Sequence, residues 1–505
     1  MTQLRQRLFK NALANLGRGG TGAIVAILLP PVLVRHMAPA SYAVWVLILQ
    51  VVAYVAYLDF GLQTAVGRYI AFAHEKKDTQ WRDGIFSTAF SGLSLAALLG
   101  VGLILIAMAA CPSIFPSIPP ALLPSMRVAI LVVGLSVALG LPASAWNGVF
   151  IGLQRFEVPA VATASSKILS ALGLIWAALT GKSLIVMALI VATANLLSYS
   201  VQFAMLRRAV PELHFRKELI TKPMIRELSG YSFSLTVWSF SMLLVNGFDL
   251  LLVGRFDFAA VTPYSVSATL ITFLAGVQNA IFGVIMPHAA QLHAQQNSVA
   301  LGNLLVKTTK LGVLLLLLTG LPLIVFAVPL IKIWIGSQFA QAGGRILVVL
   351  VIANMVRLTA VPFASILIGT GQQRLVVFTP LMEGITNLAF SIVLGWKYGA
   401  IGVAWGTLIG AIAAVLANIC YNLPRARSSI QCSPLRYFIE AMVFPALCGI
   451  PVCLLIPATI FFGSNTALFT LAWLLSFGAC AILILKTGVN DFRSGLPARE
   501  GRENK

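Results

Sequence analysis

GAIVAILLPPVLVRHMAPASYAVWVLILQVVAYVAYLDFGLQTAVGRYIAFAHEKKD, residues Gly22–Asp78, is the stretch whose reading decides the fold. Two apolar runs flank a short basic-polar turn at Arg35, His36, Met37, Ala38 and Pro39. The second run passes through Tyr42 and Leu58-Asp59-Phe60-Gly61-Leu62 to a charged exit at His74 to Asp78. Each run is long enough to cross a bilayer as a helix, so the stretch reads as a helical hairpin. A degraded copy follows about 220 residues later, which divides the chain into two similar halves.

The rest of the composition agrees. With 59% hydrophobic and 10% charged residues among 505, and a mean hydropathy of +0.93, the chain has too much apolar surface for a soluble core. Its apolar runs are about 20 residues or longer and do not alternate, so they predict helices rather than barrel strands. Six cysteines, Cys111, Cys420, Cys432, Cys448, Cys453 and Cys480, are scattered and form neither a disulfide framework nor a metal-spaced cluster. Leu4, Leu8, Ala12 and Leu16 recur at helical spacing among cations. They predict an interfacial amphipathic helix over 1–16, without the pattern of a cleaved secretory signal.

Apolar windows predict about 14 transmembrane helices, near 14–36, 42–72, 84–110, 127–152, 158–180, 183–206, 228–254, 264–287, 304–330, 345–369, 375–396, 400–422, 436–460 and 465–487. With the N-terminus assigned to the cytoplasm, about 27 Lys and Arg fall on the inner side. About 7 fall outside: Arg35, Arg127, Lys182, Arg255, Lys332, Arg345 and Lys397. The bias predicts an even number of spans with both termini cytoplasmic. It also makes the net charge of +20 a matter of membrane topology and excludes a nucleic-acid surface.

Superposing the halves pairs Val32-Leu33-Val34-Arg35 with Leu251-Leu252-Val253-Gly254-Arg255, Tyr42 with Tyr264, and Gly61-Leu62-Gln63 with Gly276-Val277-Gln278. Further on, Pro142 and Gly152-Leu153-Gln154-Arg155 match Pro362 and Gly371-Gln372-Gln373-Arg374. Because six spans is an even number, both copies run in the same direction, about a pseudo-two-fold along the membrane normal. The expected architecture is an all-α polytopic membrane protein with six-helix lobes over 17–206 and 228–424 and a cytoplasmic linker at 207–227. Two additional transmembrane helices over 436–487 and a cytoplasmic tail at 488–505 complete it. This is a two-lobed transporter layout.

The first hairpin, the Leu58-Asp59-Phe60-Gly61-Leu62 segment and Phe248-Asp249-Leu250-Leu251-Leu252-Val253-Gly254-Arg255 resemble the bacterial polysaccharide flippases of the MATE-like multidrug/oligosaccharidyl-lipid/polysaccharide exporter superfamily. Such families carry an acid and a glycine in the first turn, where this chain has Met37-Ala38-Pro39-Ala40-Ser41-Tyr42-Ala43. The resemblance implies a flippase, not an enzyme. Its expected role is to move a polyprenyl-diphosphate-linked oligosaccharide from the inner to the outer leaflet of the bacterial inner membrane, for lipopolysaccharide or exopolysaccharide biosynthesis. It implies no cofactor and no ATP site, with a proton or sodium ion as the candidate coupling ion. The partners expected are membrane lipids, the lipid-linked oligosaccharide, and a polysaccharide polymerase and export machinery.

Charges at mid-membrane depth cost at least roughly 2.5–3.5 kcal/mol each, so they are functional candidates. Arg357, Lys167, Asp59 and Glu383 lie at that depth, one acid and one base in each half. Arg357 suits bidentate phosphate binding and Lys167 a point charge, with Asn354 and Asn147 lining a polar cavity. The bland alternative is two ion pairs that only fix helix packing. Asp59 and Glu383 are candidates for ion coupling. Arg35 and Arg255 sit at the outer rim, either meeting departing substrate or snorkelling to headgroups. Asp249 is a candidate partner of Arg255. Pro30-Pro31, Pro142, Pro287, Pro362 and Pro380 are expected to interrupt spans. Gly402, Gly406 and Gly410 form a stripe that reads as close helix packing. Gly17-Arg18-Gly19-Gly20-Thr21-Gly22 matches G-x-G-x-x-G, but no strand precedes it, so nucleotide binding is not expected.

The rival readings are a MATE-like cation-coupled drug exporter, a lipid II flippase, and a membrane polysaccharide polymerase or glycosyltransferase. Two cationic cavity candidates argue against a cationic drug. The longest outer loop, near Cys111 to Met126, has neither an acid nor a histidine, which argues against the enzymes.

Overall fold

A computed structural model describes residues 21–452, 454, 471 and 473–483. The interfacial helix expected over 1–16, the tail over 488–505, residues 455–470 of the last expected spans, and the side chains of Asn246 and Arg374 lie outside the described residues.

Among the described residues every regular element is helical. The chain opens with α1 (Thr21–His36), α2 (Pro39–Ala56), α3 (Leu62–Lys76), α4 (Thr79–Ile114), α5 (Leu123–Gly152), α6 (Glu157–Leu179) and α7 (Leu184–Ala209). There follow α8 (Lys222–Asn246), α9 (Asp249–Phe256), α10 (Val261–Phe282), α11 (Ile285–Ala294), α12 (Ser298–Val325), α13 (Ala327–Trp334), α14 (Ser337–Leu358), α15 (Val361–Gly369) and α16 (Gln373–Ala417).

Eleven stretches of the described chain are long and apolar enough to cross a membrane. One of them, Leu375–Arg425, crosses twice: Gly399 sits at φ 62° and ψ −144°, and the two halves of α16 run back along each other. With the shorter apolar helices Thr21–His36 and Trp473–Leu483, the described spans agree with about fourteen crossings.

Local sequence accounts for the helix ends. Asp78 caps α4 by accepting from the Trp81 amide at 2.8 Å, and Asn297 caps α12 by accepting from Ala300 at 2.9 Å. Pro39, Pro124, Pro223 and Pro362 occupy first-turn positions, where the missing N–H costs nothing. The expectation that prolines interrupt spans holds at two of the positions: the breaks at Gly283–Val284 and Thr359–Ala360 stand just before Pro287 and Pro362, in the first turns of α11 and α15. It is corrected at the others, since Pro30, Pro31, Pro142 and Pro380 remain inside continuous helices. Spans also break at Tyr57–Gly61 and between α8 and α9, where no proline stands. At the Tyr57–Gly61 break, Phe60 and Gly61 both adopt left-handed backbone, φ 50° and 71°. A Cβ on Gly61 would meet the Leu235 Cβ at 2.5 Å, so glycine there also admits α8.

The chain forms two compact units, residues 1–269 with 334–336, and residues 270–333 with 337–505. In the first, α5 packs against α2, α3, α4 and α7, around a core that includes Val66, Ile70, Ile85, Leu93, Val149 and Phe150. In the second, α14 packs against α12 and α16, and Leu314, Leu317 and Leu321 of α12 gather Val452 and Cys480. The glycine stripe does what its spacing predicts. Gly402 lies against the Leu394 carbonyl, Gly406 against the Ser391 backbone, and Gly410 against Asn387 and the Glu383 carbonyl, where a Cβ would meet that oxygen at 3.0 Å. This hairpin positions the polar residues of the second unit.

Candidate functional site

The second unit gathers its polar side chains where α14 ends and along the two arms of the α16 hairpin. Arg357 occupies the last turn of α14, roughly 18 Å along the helical rise from Gly369 and well inside the Ser337–Gly369 span. The helix stops one residue later, so its terminal carbonyls favour the guanidinium. Arg357 Nη2 donates to Asn354 Oδ1, and Asn354 donates from Nδ2 to the Leu350 carbonyl at 2.9 Å. Arg357 Nε lies 3.8 Å from Glu383 Oε1, a charge pair longer than a hydrogen bond. Glu383 is 5% exposed and Asn354 3%.

One helical turn beyond Glu383, Asn387 accepts from the Ser391 hydroxyl at 2.8 Å, and that hydroxyl also reaches the Val403 carbonyl across the hairpin at 3.2 Å. A second polar knot joins Thr379, Asn418 and Asn422. Thr379 donates to Asn418 Oδ1 at 2.8 Å, and Asn422 donates to Thr379 at 2.7 Å and to Asn418 at 2.8 Å. It sits where the helix widens to a π-turn over Asn418–Asn422, a feature common at functional sites. A fixed cation on α14, with a buried carboxylate and several amides on α16 and the π-turn that follows it, can recognise a charged, hydroxyl-rich head group.

The first unit is built differently. Asp59 lies in the Tyr57–Gly61 break, where its Oδ1 accepts from the Ser144 hydroxyl at 2.8 Å and its carboxylate accepts from the amides of Gly61 and Gln63. Ser144 is two residues past Pro142 on α5 and also donates to the Leu141 carbonyl at 2.7 Å. Lys167 does not join it. Lys167 is exposed on α6, with its ammonium so near Gly22 that a Cβ there would meet Nζ at 2.9 Å. The expected acid–base pair therefore exists in the second half, between Arg357 and Glu383, and is replaced in the first by serine and backbone amides. Equal depth along two helices says nothing about which faces meet. Asn147, one turn beyond Ser144, holds its Oδ1 buried with no hydrogen-bond partner among the described residues.

The two rim arginines act on backbone. Arg35 Nη2 donates to the Trp334 carbonyl at 3.3 Å, while the Trp334 indole donates to Ile27 at 3.0 Å. Arg255 Nη1 donates to the carbonyls of Ser113 at 2.8 Å and Ile114 at 3.1 Å. Asp249, expected beside Arg255, accepts from the Tyr264 hydroxyl at 3.3 Å.

Sequence reasoning missed Asp83, which is 2% exposed. Its Oδ1 takes two bonds from Arg82, at 2.8 and 3.0 Å, and its Oδ2 lies 3.6 Å from Arg216 Nε. Arg82 also donates to the Glu212 carbonyl at 3.0 Å, and the Arg216 amide donates to Ser87 at 2.9 Å. These contacts bind the linker to the start of α4. The available signal was an acid placed five residues inside a helix that starts at a cap.

Comparison with known proteins bears on the family and the fold. A family model described as "Polysaccharide biosynthesis protein" matches residues 8–293. Among solved structures, the lipid II flippase MurJ in an inward closed conformation gives a TM-score of 0.67 at 14% identity, over 97% of this chain and 100% of that one. An inward-facing multidrug resistance MATE family transporter of the MOP superfamily also gives 0.67 at 14% identity, over 81% and 94%. The Vibrio cholerae MATE transporter VcmN in its bent form gives 0.55 at 15%, over 85% and 99%. None of the curated proteins compared with the chain matches it. At these identities the structures establish the fold, which is that of the MOP transporters.

Proposed function

We propose that this chain, which belongs to the polysaccharide biosynthesis protein family, is a flippase. It carries a polyprenyl-diphosphate-linked oligosaccharide from the inner to the outer leaflet of the bacterial inner membrane by alternating access, with both termini cytoplasmic. The observation that carries the reading is the Arg357–Asn354–Glu383 cluster, which joins the last turn of α14 to α16. A guanidinium set beside an amide and a carboxylate has the fork geometry that phosphate oxygens match, and buried amides suit sugar hydroxyls.

In this reading Arg357 grips a phosphate and Asn354 orients it, while Lys167 and Asn147 are the first unit's candidates for the head group. Asp59 and Glu383 are the groups offered to a coupling proton or sodium ion. Likeness to MurJ, a lipid II flippase by name, supports a lipid-linked cargo more directly than a soluble one. The test is depletion of the protein followed by leaflet-resolved lipid analysis. Polyprenyl-linked oligosaccharide should accumulate facing the cytoplasm, and its normal appearance on the outer leaflet would refute the flippase reading.

A further inference from the structure

At the ends of α4, α5 and α7 nearest the basic linker, the first unit holds a cavity of about 120 Å³ lined by Phe86, Phe90, Trp146, Phe203, Leu206 and Arg207, and closed by the linker residues Val210, Leu213 and Phe215. Its walls are braced ring on ring. Phe86 packs on Phe90 at 5.9 Å, Phe90 on Phe215 at 5.8 Å, and Trp146 on Phe203 at 5.2 Å. Phe203 and Phe215 form a rim about half exposed, 43% and 51%. Leu206 lies three residues from the end of α7, Phe86 seven and Phe90 eleven from the start of α4, so the cavity reaches from near the helix ends to roughly 16 Å inside them. It thus starts at the level where headgroups give way to chain carbons.

Arg207 makes the site amphipathic. Its guanidinium stacks over Phe203, 5.4 Å from the ring centroid, and Nη1 donates to the Leu213 carbonyl at 3.3 Å. That bond engages one of five N–H donors, and the fork of a guanidinium matches phosphate oxygens. The surroundings have the same sign: from Arg207 to Lys222 the cations Arg207, Arg208, Arg216, Lys217 and Lys222 face two acids, Glu212 and Glu218. The cavity is somewhat smaller than the roughly 150 Å³ apolar cavity that accepts benzene, so it takes the first few carbons of a chain and not a whole tail.

We propose that this is a binding site for one anionic phospholipid, its phosphate on Arg207 and the glycerol-proximal carbons of one acyl chain among the aromatic rings. The site is separate from the Arg357 cluster, and the assignment does not depend on what the protein transports. An anionic lipid held there bridges α4, α5, α7 and the linker, and ties their packing to the charge of the surrounding leaflet.

Native mass spectrometry of the full chain in detergent, with added phosphatidylglycerol or phosphatidylcholine, tests it. The wild type should retain phosphatidylglycerol about tenfold better, and Arg207→Gln should erase that preference. Val210→Phe, which fills the cavity, should lower retention of both lipids. A second readout does not require that variant to fold. Phosphatidylglycerol brominated near the head of its chain should quench wild-type emission more than brominated phosphatidylcholine does, and Trp146→Phe should remove the difference. Equal retention of the two lipids, an unchanged preference in Arg207→Gln, or no Trp146-dependent quenching would overturn the proposal. Displacement of phosphatidylglycerol by an equal concentration of a polyprenyl phosphate would reassign the cavity to a polyprenyl ligand.

Discussion

Arg255 donates to the Ser113 carbonyl at 2.8 Å, in the last turn of α4. Its partner in the sequence repeat, Arg35, makes the corresponding bond to Trp334, the last residue of α13, at 3.3 Å. Each arginine thus caps a helix C-terminus belonging to the other half of the repeat, where unpaired carbonyls and the helix dipole favour a cation. Alanine at either position should cost about 0.3–1 kcal/mol, since both arginines are exposed. Fluorescence-detected thermal unfolding in detergent checks this, with lysine variants expected to keep part of the stability.

The cluster at Arg357 separates binding from packing. Arg357→Ala should abolish export while leaving protein levels normal, because the variant removes the guanidinium without touching the glycine seam of α16. A double variant, Arg357→Gln with Glu383→Gln, removes both charges and should fold at wild-type abundance yet remain inactive in a complementation assay. Full complementation by either variant would remove Arg357 from the substrate-binding role.

The hairpin of α16 depends on close approach at its glycines. Gly406→Ala would drive a methyl into the Ser391 backbone and should destabilise by about 1–3 kcal/mol. Gly102 in α4 has nothing within 4 Å of a would-be Cβ, so Gly102→Ala should be neutral or stabilise by about 0.4–1 kcal/mol. Thermal unfolding of the two variants side by side reads the contrast.

Asp83 should govern the order of the linker. Asp83→Asn leaves Arg82 and Arg216 without their carboxylate, at a cost of about 1–3 kcal/mol, moderated because Arg216 is 53% exposed. Limited trypsin digestion should then cut at Arg216 and Lys217 several-fold faster than in the wild type.

Cys432 should be a slow nucleophile. Cys432 lies in the loop between the spans Leu375–Arg425 and Pro434–Val452, and burial pushes its thiol above the ordinary value, with the Arg436 charge opposing more weakly. A raised pKa means less thiolate at any given pH, and the thiolate is the reactive form. Maleimide at pH 8 should therefore label Cys432 several-fold more slowly in the folded protein than after unfolding, as counted by peptide mass spectrometry.

Much of this architecture was legible because hydropathy and glycine spacing act locally. The spans at 375–396 and 400–422 emerge as the two arms of α16, and the stripe at Gly402, Gly406 and Gly410 lies in their seam. Arg357 and Glu383, singled out as the charges of the second half, do meet at 3.8 Å. What sequence spacing does not carry is azimuth. Asp59 and Lys167 share a depth, yet one turns to Ser144 and the other to Gly22. The break at Tyr57–Gly61 was equally hidden, because no proline marks it and left-handed backbone at Phe60 carries no compositional signature. Asp83 escaped for the opposite reason, being adjacent to Arg82 in a charged exit that resembled an ordinary solvated helix start.

The break at Tyr57–Gly61 also has a mechanical meaning. It takes the Phe60 carbonyl out of the helical ladder, and the Thr236 hydroxyl of α8 supplies a donor at 3.2 Å, over the spot where Gly61 lets Leu235 settle. Sliding α8 away would strand that oxygen in hydrocarbon, a penalty of several kcal/mol for an unsatisfied backbone group. Any rearrangement that separates α3 from α8 therefore has to supply Phe60 with another donor.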